Sequence, residues 1–130
     1  MHYRKSTMRH PFYSLVAVFA IAVLSMSLVE NVSAHAVVTA SSLANEPVKA
    51  RHPTRIALFF NSNVELSLSR VFWVSAGDVF HPADIAHGKK PGELLIQIPA
   101  LDPGEYAIKY KVFAADGHLT EASIRFHVAP

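Results

Sequence analysis

The stretch from Glu105 to Val128 constrains the fold more than any other. Tyr106, Ile108, Tyr110 and Val112 alternate with Glu105, Ala107, Lys109 and Lys111. Successive side chains of a strand point to opposite faces, so this period of two predicts a strand over 105–113 with one buried and one wet face. Ile124, Phe126 and Val128 repeat the pattern against Arg125 and His127, which predicts a second strand over 123–128. Between the two runs lies Asp116-Gly117. That pair marks a tight hairpin turn, expected to take φ > 0 at both central positions.

The rest of the domain reads in the same way. Strands are predicted over 35–41, 54–60, 70–75 and 93–98, with Ile56, Leu58 and Phe60 on one face of the second. Residues 45–53 form a loop punctuated by Pro47 and Pro53, and Asn61-Ser62-Asn63 ends the 54–60 strand. Val64–Leu68 reads as a short helical turn or an irregular link. Ala76-Gly77-Asp78 and Leu101-Asp102-Pro103-Gly104 are turns. Residues 79–92, rich in Pro, Gly, Lys and His, read as a long exposed connection with one short strand at most. Phe59, Phe60, Phe72, Trp73 and Phe126 are expected in the core. Roughly seven short strands with regular turns predict an all-β protein, a single Greek-key β-barrel or sandwich of the Ig-like or cupredoxin-like kind.

Residues 1–34 carry the marks of a cleaved signal peptide. Arg4, Lys5 and Arg9 precede an apolar run from Phe12 to Val29, and Val32 and Ala34 supply the small residues of a cleavage site. An uncleaved anchor is the alternative, since 18 residues can just span a bilayer. Cleavage after Ala34 leaves an exported domain of residues 35–130.

That domain holds nine Lys or Arg and nine Asp or Glu, so the basic balance of the whole chain comes from the leader. A nucleic-acid partner is not indicated. There is no cysteine, which excludes disulfides and thiolate metal sites. Met1, Met8 and Met26 all leave with the leader, so no thioether remains for Cu(I).

Six histidines remain: His35, His52, His81, His87, His118 and His127. A chain-initial His35 offers a free α-amine and an imidazole, which together can chelate one metal ion. Asp116 and His118, two residues apart, can converge at the hairpin tip. His35, Asp116 and His118 then provide three nitrogens and one oxygen, a set that suits tetragonal Cu(II). This requires the first strand to begin beside the Asp-Gly-His turn. Without that, Asp116-Gly117-His118 is simply a turn. His52 and His127 read as solvated, and His81 and His87 share a loop that could form a weak surface site.

His35-Ala36 after a signal, Ser41-Ser42, Pro53, Leu58-x-Phe60, Val64-Glu65, Leu101-x-Pro103-Gly104-x-Tyr106 and Asp116-Gly117-His118 occur in order. This pattern resembles the CopC family of periplasmic copper-binding proteins over essentially the whole mature chain. The resemblance implies a Greek-key β-barrel and one Cu(II) ion per mature chain. It also implies a role in copper tolerance or uptake, and a CopD-like inner-membrane protein as partner. Its ligand positions fall on His35, Asp116 and His118. Three departures stand out. Leu43 replaces a proline, Ser62 replaces a glutamate near the metal, and His81 and His87 occupy the place of a methionine-rich loop. The expected function is that of a monomeric Cu(II) carrier or chaperone, not an enzyme. The alternatives are a copper mono-oxygenase-like protein with an N-terminal His ligand, which would need an open metal position, and a metal-free β-sandwich interaction module.

Overall fold

The structure, a computed structural model, describes residues 36–130. The expected signal peptide, its cleavage site and His35 lie outside these residues. Nine strands are present: β1 (Val38–Ser41), β2 (Val48–Lys49), β3 (Thr54–Phe60), β4 (Arg70–Ser75), β5 (Val79–Pro82), β6 (Ile85–His87), β7 (Glu93–Ile98), β8 (Gly104–Phe113) and β9 (Leu119–Ala129). Two short 3₁₀ turns, Ser42–Ala44 and Leu66–Leu68, are the helical elements among the described residues. None is long and apolar enough to cross a membrane.

The strands form two sheets, ordered β1-β3-β7-β6 and β2-β9-β8-β4-β5. All pairings are antiparallel except β2 with β9. Ile56, Leu58 and Phe60 of β3 and Leu94, Ile96 and Ile98 of β7 face Val71, Ile108, Tyr110, Val112, Phe126 and Val128 of the other sheet in one buried cluster. The alternation in the sequence is therefore the alternation of two inner faces. Of the expected barrel or sandwich, the sandwich is present: both sheets end in edge strands and neither closes on itself, which corrects the barrel implied by the family resemblance.

Three strands lie beyond the six that the periodicity marks, and all are short edges: β2, inside the expected 45–53 loop, pairs with β9. β5 pairs with β4 (Trp73 opposite His81) and β6 pairs with β7 (His87 opposite Leu94), both within the stretch expected to be an exposed connection. Pro82 hid β5, yet an edge strand tolerates proline because one side of its backbone needs no partner. β9 begins at Leu119, four residues before its clean alternation, since its register with β8 runs unbroken from Val128–Gly104 to Leu119–Phe113. β1 starts at Val38 rather than at residue 35. Of the aromatic residues expected in the core, Phe60 and Phe126 are buried and Trp73 packs against the cluster, while Phe59 and Phe72 are half-buried. Gly92 is required where β3 meets the loop before β7. Its φ is +75°, and a Cβ there would sit 2.3 Å from the Phe60 carbonyl oxygen.

Candidate metal centre

The β8–β9 hairpin closes through Ala114–His118. The Gly117 N–H donates to the Ala114 carbonyl at 2.9 Å, and the Ala114 N–H donates to the His118 carbonyl at 2.9 Å. Gly117 alone in this turn has positive φ, at 87°. The expectation of two left-handed central residues is corrected: Ala115 and Asp116 occupy an ordinary turn and Gly117 takes the left-handed position after it. Three-residue hairpin loops close in this way.

Within this turn Asp116 grips His118 twice. The His118 backbone N–H donates to Oδ1 at 3.0 Å, and Oδ2 lies 2.8 Å from Nδ1 of the same residue. The first contact follows from the short side chain of aspartate, which caps the backbone two residues on. The second follows from i and i+2 sharing a side. Both side chains are open to solvent, His118 about half exposed and Asp116 about a third. The His118 N–H, then its imidazole, hold the Asp116 carboxyl below the usual carboxylate range.

The turn is fixed to its neighbours by backbone. Its Ala115 N–H donates to the Asn63 carbonyl at 3.0 Å, and Ala114, itself buried, bridges to Val64. Just below, the Glu65 N–H donates to the Phe113 carbonyl at 2.9 Å. Ser69, the buried polar residue among those described, accepts from the Phe113 N–H at 3.1 Å and donates to the Glu65 carbonyl at 2.7 Å.

The beginning of the described chain is fixed to the same segment. The Val37 N–H donates to Asn61 Oδ1 at 2.8 Å, and the Asn61 N–H donates back to the Val37 carbonyl at 3.0 Å. Ala36 is completely buried in the cluster that also holds Val64 and Ala114. The segment from Asn61 to Asn63 therefore carries the chain start at one end and the Asp-Gly-His turn at the other. Two residues along a chain cover at most about 7 Å. The described backbone thus ties the first described residues and the Asp-Gly-His turn to one three-residue segment. His35 itself lies outside the described residues.

Asn61 and Asn63, which the sequence marks only as a strand break, and Ser69, which lies between the expected link and the next strand, are framework residues. Asparagine's readiness to bond backbone in irregular segments was the available signal. Ser62, in the place of the family glutamate, has only a 3.4 Å contact to the Asn63 carbonyl.

The remaining histidines are spread over the molecule. His81 and His87 do not share a loop: His81 lies on β5 and His87 on β6, at edges of different sheets. His81 stacks on Trp73 with centroids 3.7 Å apart and contacts Ser75 Oγ at 3.0 Å. His52 bonds the Ala50 carbonyl, and His127 pairs with Glu105 across the hairpin; both are exposed. Among the described residues, no three His, Asp or Glu side chains cluster as a metal site.

A family model, the CopC domain, matches residues 38–129. The chain belongs to the CopC domain family. This makes it a binding protein rather than an enzyme. CopC from Methylosinus trichosporium OB3b is 27% identical to this CopC-domain chain, covers 74% of it and 95% of its own length, and superposes with a TM-score of 0.62. PcoC from Escherichia coli, described as a methionine-rich copper resistance protein, is 22% identical over 73% of this chain and 99% of its own, with a TM-score of 0.54. At that identity PcoC shows the shared fold. No curated protein matches the chain.

Proposed function

We propose that this CopC-domain protein is an exported copper-resistance protein that carries one Cu(II) ion per mature chain. The ion is held by the α-amine and imidazole of His35, the Asp116 carboxylate and the His118 imidazole. The observation that carries the reading is the pairing of Asp116 and His118 on a turn tied, through Asn63 and Asn61, to the backbone at Val37. Two donors at right angles on an ion, each with a bond of about 2.0 Å, are about 2.8 Å apart. Oδ2 and Nδ1 are 2.8 Å apart. The spacing of the pair is thus that of two neighbouring donors on one ion.

Two donors alone hold Cu(II) weakly, and among the described residues no third His, Asp or Glu joins them in a cluster. His35 precedes the anchored Ala36 directly and supplies two more nitrogens once the leader is removed. Three nitrogens and a carboxylate match the tetragonal preference of Cu(II). The absence of methionine beyond Met26 sets this chain apart from a methionine-rich relative and favours the oxidised ion. The protein works as a periplasmic monomer that passes copper to a CopD-like inner-membrane partner by ligand exchange, or after one-electron reduction of Cu(II) to Cu(I) by an external reductant.

The test is the intact mass of the protein isolated from the periplasm, with and without added Cu(II). The expected result is a chain that begins at His35 and gains the mass of one copper. A different first residue, or no copper adduct, contradicts the proposal.

A further inference from the structure

The Thr120 hydroxyl is shut off from water and has no hydrogen-bond partner among the described residues. Thr120 lies on β9 opposite Val112, which is wholly buried. His118 stands two residues back, and its carbonyl continues the strand pairing by accepting from the Ala114 N–H. Residues two apart in extended chain share a face. The hydroxyl therefore sits on the His118 side of the hairpin, one step further from the tip.

A buried hydroxyl without a partner costs free energy, and valine has almost the same shape without that cost. Val112, across the pair, shows that an apolar β-branched side chain fits this layer. An orphan of this kind in a native fold calls for an explanation, and a nearby functional site is one. The proposed metal centre, which includes His118 two residues back on the same face, could bring a partner. An ion polarises the N–H or O–H groups of its ligands, and outer bonds to such groups orient ligands and raise metal affinity.

We propose that Thr120 is a positioning residue of the metal centre, its Oγ1 accepting a hydrogen bond from a polarised N–H or O–H of the loaded site. A metal-bound amine and a metal-bound water both present that donor. The inference rests on the copper reading above and adds a residue to it.

The test is Thr120→Val, with Thr120→Ser as the conservative control. Without metal, Thr120→Val should melt at the same or a higher temperature than wild type, since it removes an unsatisfied group. With metal, it should bind Cu(II) roughly tenfold more weakly and shift the electron paramagnetic resonance parameters, and Thr120→Ser should restore both. A glycine added before His35 turns the amine into an amide. If the valine effect vanishes in that background the donor is the amine, and if it persists the donor is water. Unchanged affinity and spectrum in Thr120→Val, with wild type loading one ion, overturn the proposal. So does a lower melting temperature with no change in copper binding, which would make the threonine purely structural. Wild-type protein that takes up no Cu(II) overturns the copper reading itself.

Discussion

Asp116 holds His118 with both of its carboxylate oxygens, Oδ1 on the backbone N–H at 3.0 Å and Oδ2 at 2.8 Å from Nδ1. One side chain thus sets the position and the ring orientation of the other. A metal site built on this pair begins with its ligands already gathered, which reduces the ordering cost of binding.

Asp116→Asn keeps the size of the side chain and removes its charge. We expect Cu(II) affinity to fall at least tenfold, the scale of effect seen when a ligand or its supporting carboxylate is lost. The acid limb of stability should change as well. The folded-state pKa of Asp116 is lowered, first by the His118 N–H and then by its imidazole. Its contribution is therefore present above the unfolded value of about 3.9 and is lost as pH falls through the folded value. Melting curves of metal-free wild type and Asp116→Asn should converge below about pH 4. Curves that stay equally separated down to pH 2 contradict this.

Ser69→Ala removes the hydroxyl that joins Phe113 to Glu65 below the turn. Leaving a buried backbone N–H unsatisfied costs roughly 1–3 kcal/mol. Chemical denaturation should show that loss, while the copper stoichiometry stays at one. A variant as stable as wild type would mean that water replaces the hydroxyl.

Burial pushes the Tyr110 hydroxyl up from its ordinary pKa, in a side chain that meets Phe60 edge-on at 5.6 Å. A raised folded-state value means that stability is fully present below about pH 10 and is lost as pH rises through the folded value. Tyr110→Phe should lack that part of the alkaline loss and match wild type near neutrality. An identical alkaline limb in both proteins contradicts this.

The hairpin, the two sheet faces and the site turn were legible because each rests on a local rule. Alternation marked Tyr106 to Val112 as half-buried, and Asp-Gly marked the turn. What escaped was set by tertiary pairing. β5 and β6 are strands because β4 and β7 offer them edges, and nothing in the Pro- and Gly-rich sequence of 79–92 announces those edges. His81 and His87 are close in sequence, yet one joins each sheet, so spacing suggested a shared site that the topology divides. Asn61 and Asn63 looked like a strand break. Their role in linking the chain start to the turn depends on the packing of Ala36, Val64 and Ala114, which no single segment encodes.

His81→Ala and His87→Ala, on different sheets and away from the turn, should leave tight Cu(II) binding intact. His81→Ala should still alter Trp73 fluorescence, because the two rings stack at 3.7 Å. Loss of tight copper binding in either variant contradicts the assignment.

The most direct measurement is a competitive Cu(II) titration, followed by electron paramagnetic resonance, of the mature protein and His118→Ala. The account predicts one tightly held Cu(II) in wild type, coupled to three nitrogens. It predicts one nitrogen fewer in His118→Ala, with affinity lowered by at least tenfold. An unchanged spectrum and affinity in His118→Ala would contradict it and leave Asp116-Gly117-His118 as a hairpin turn.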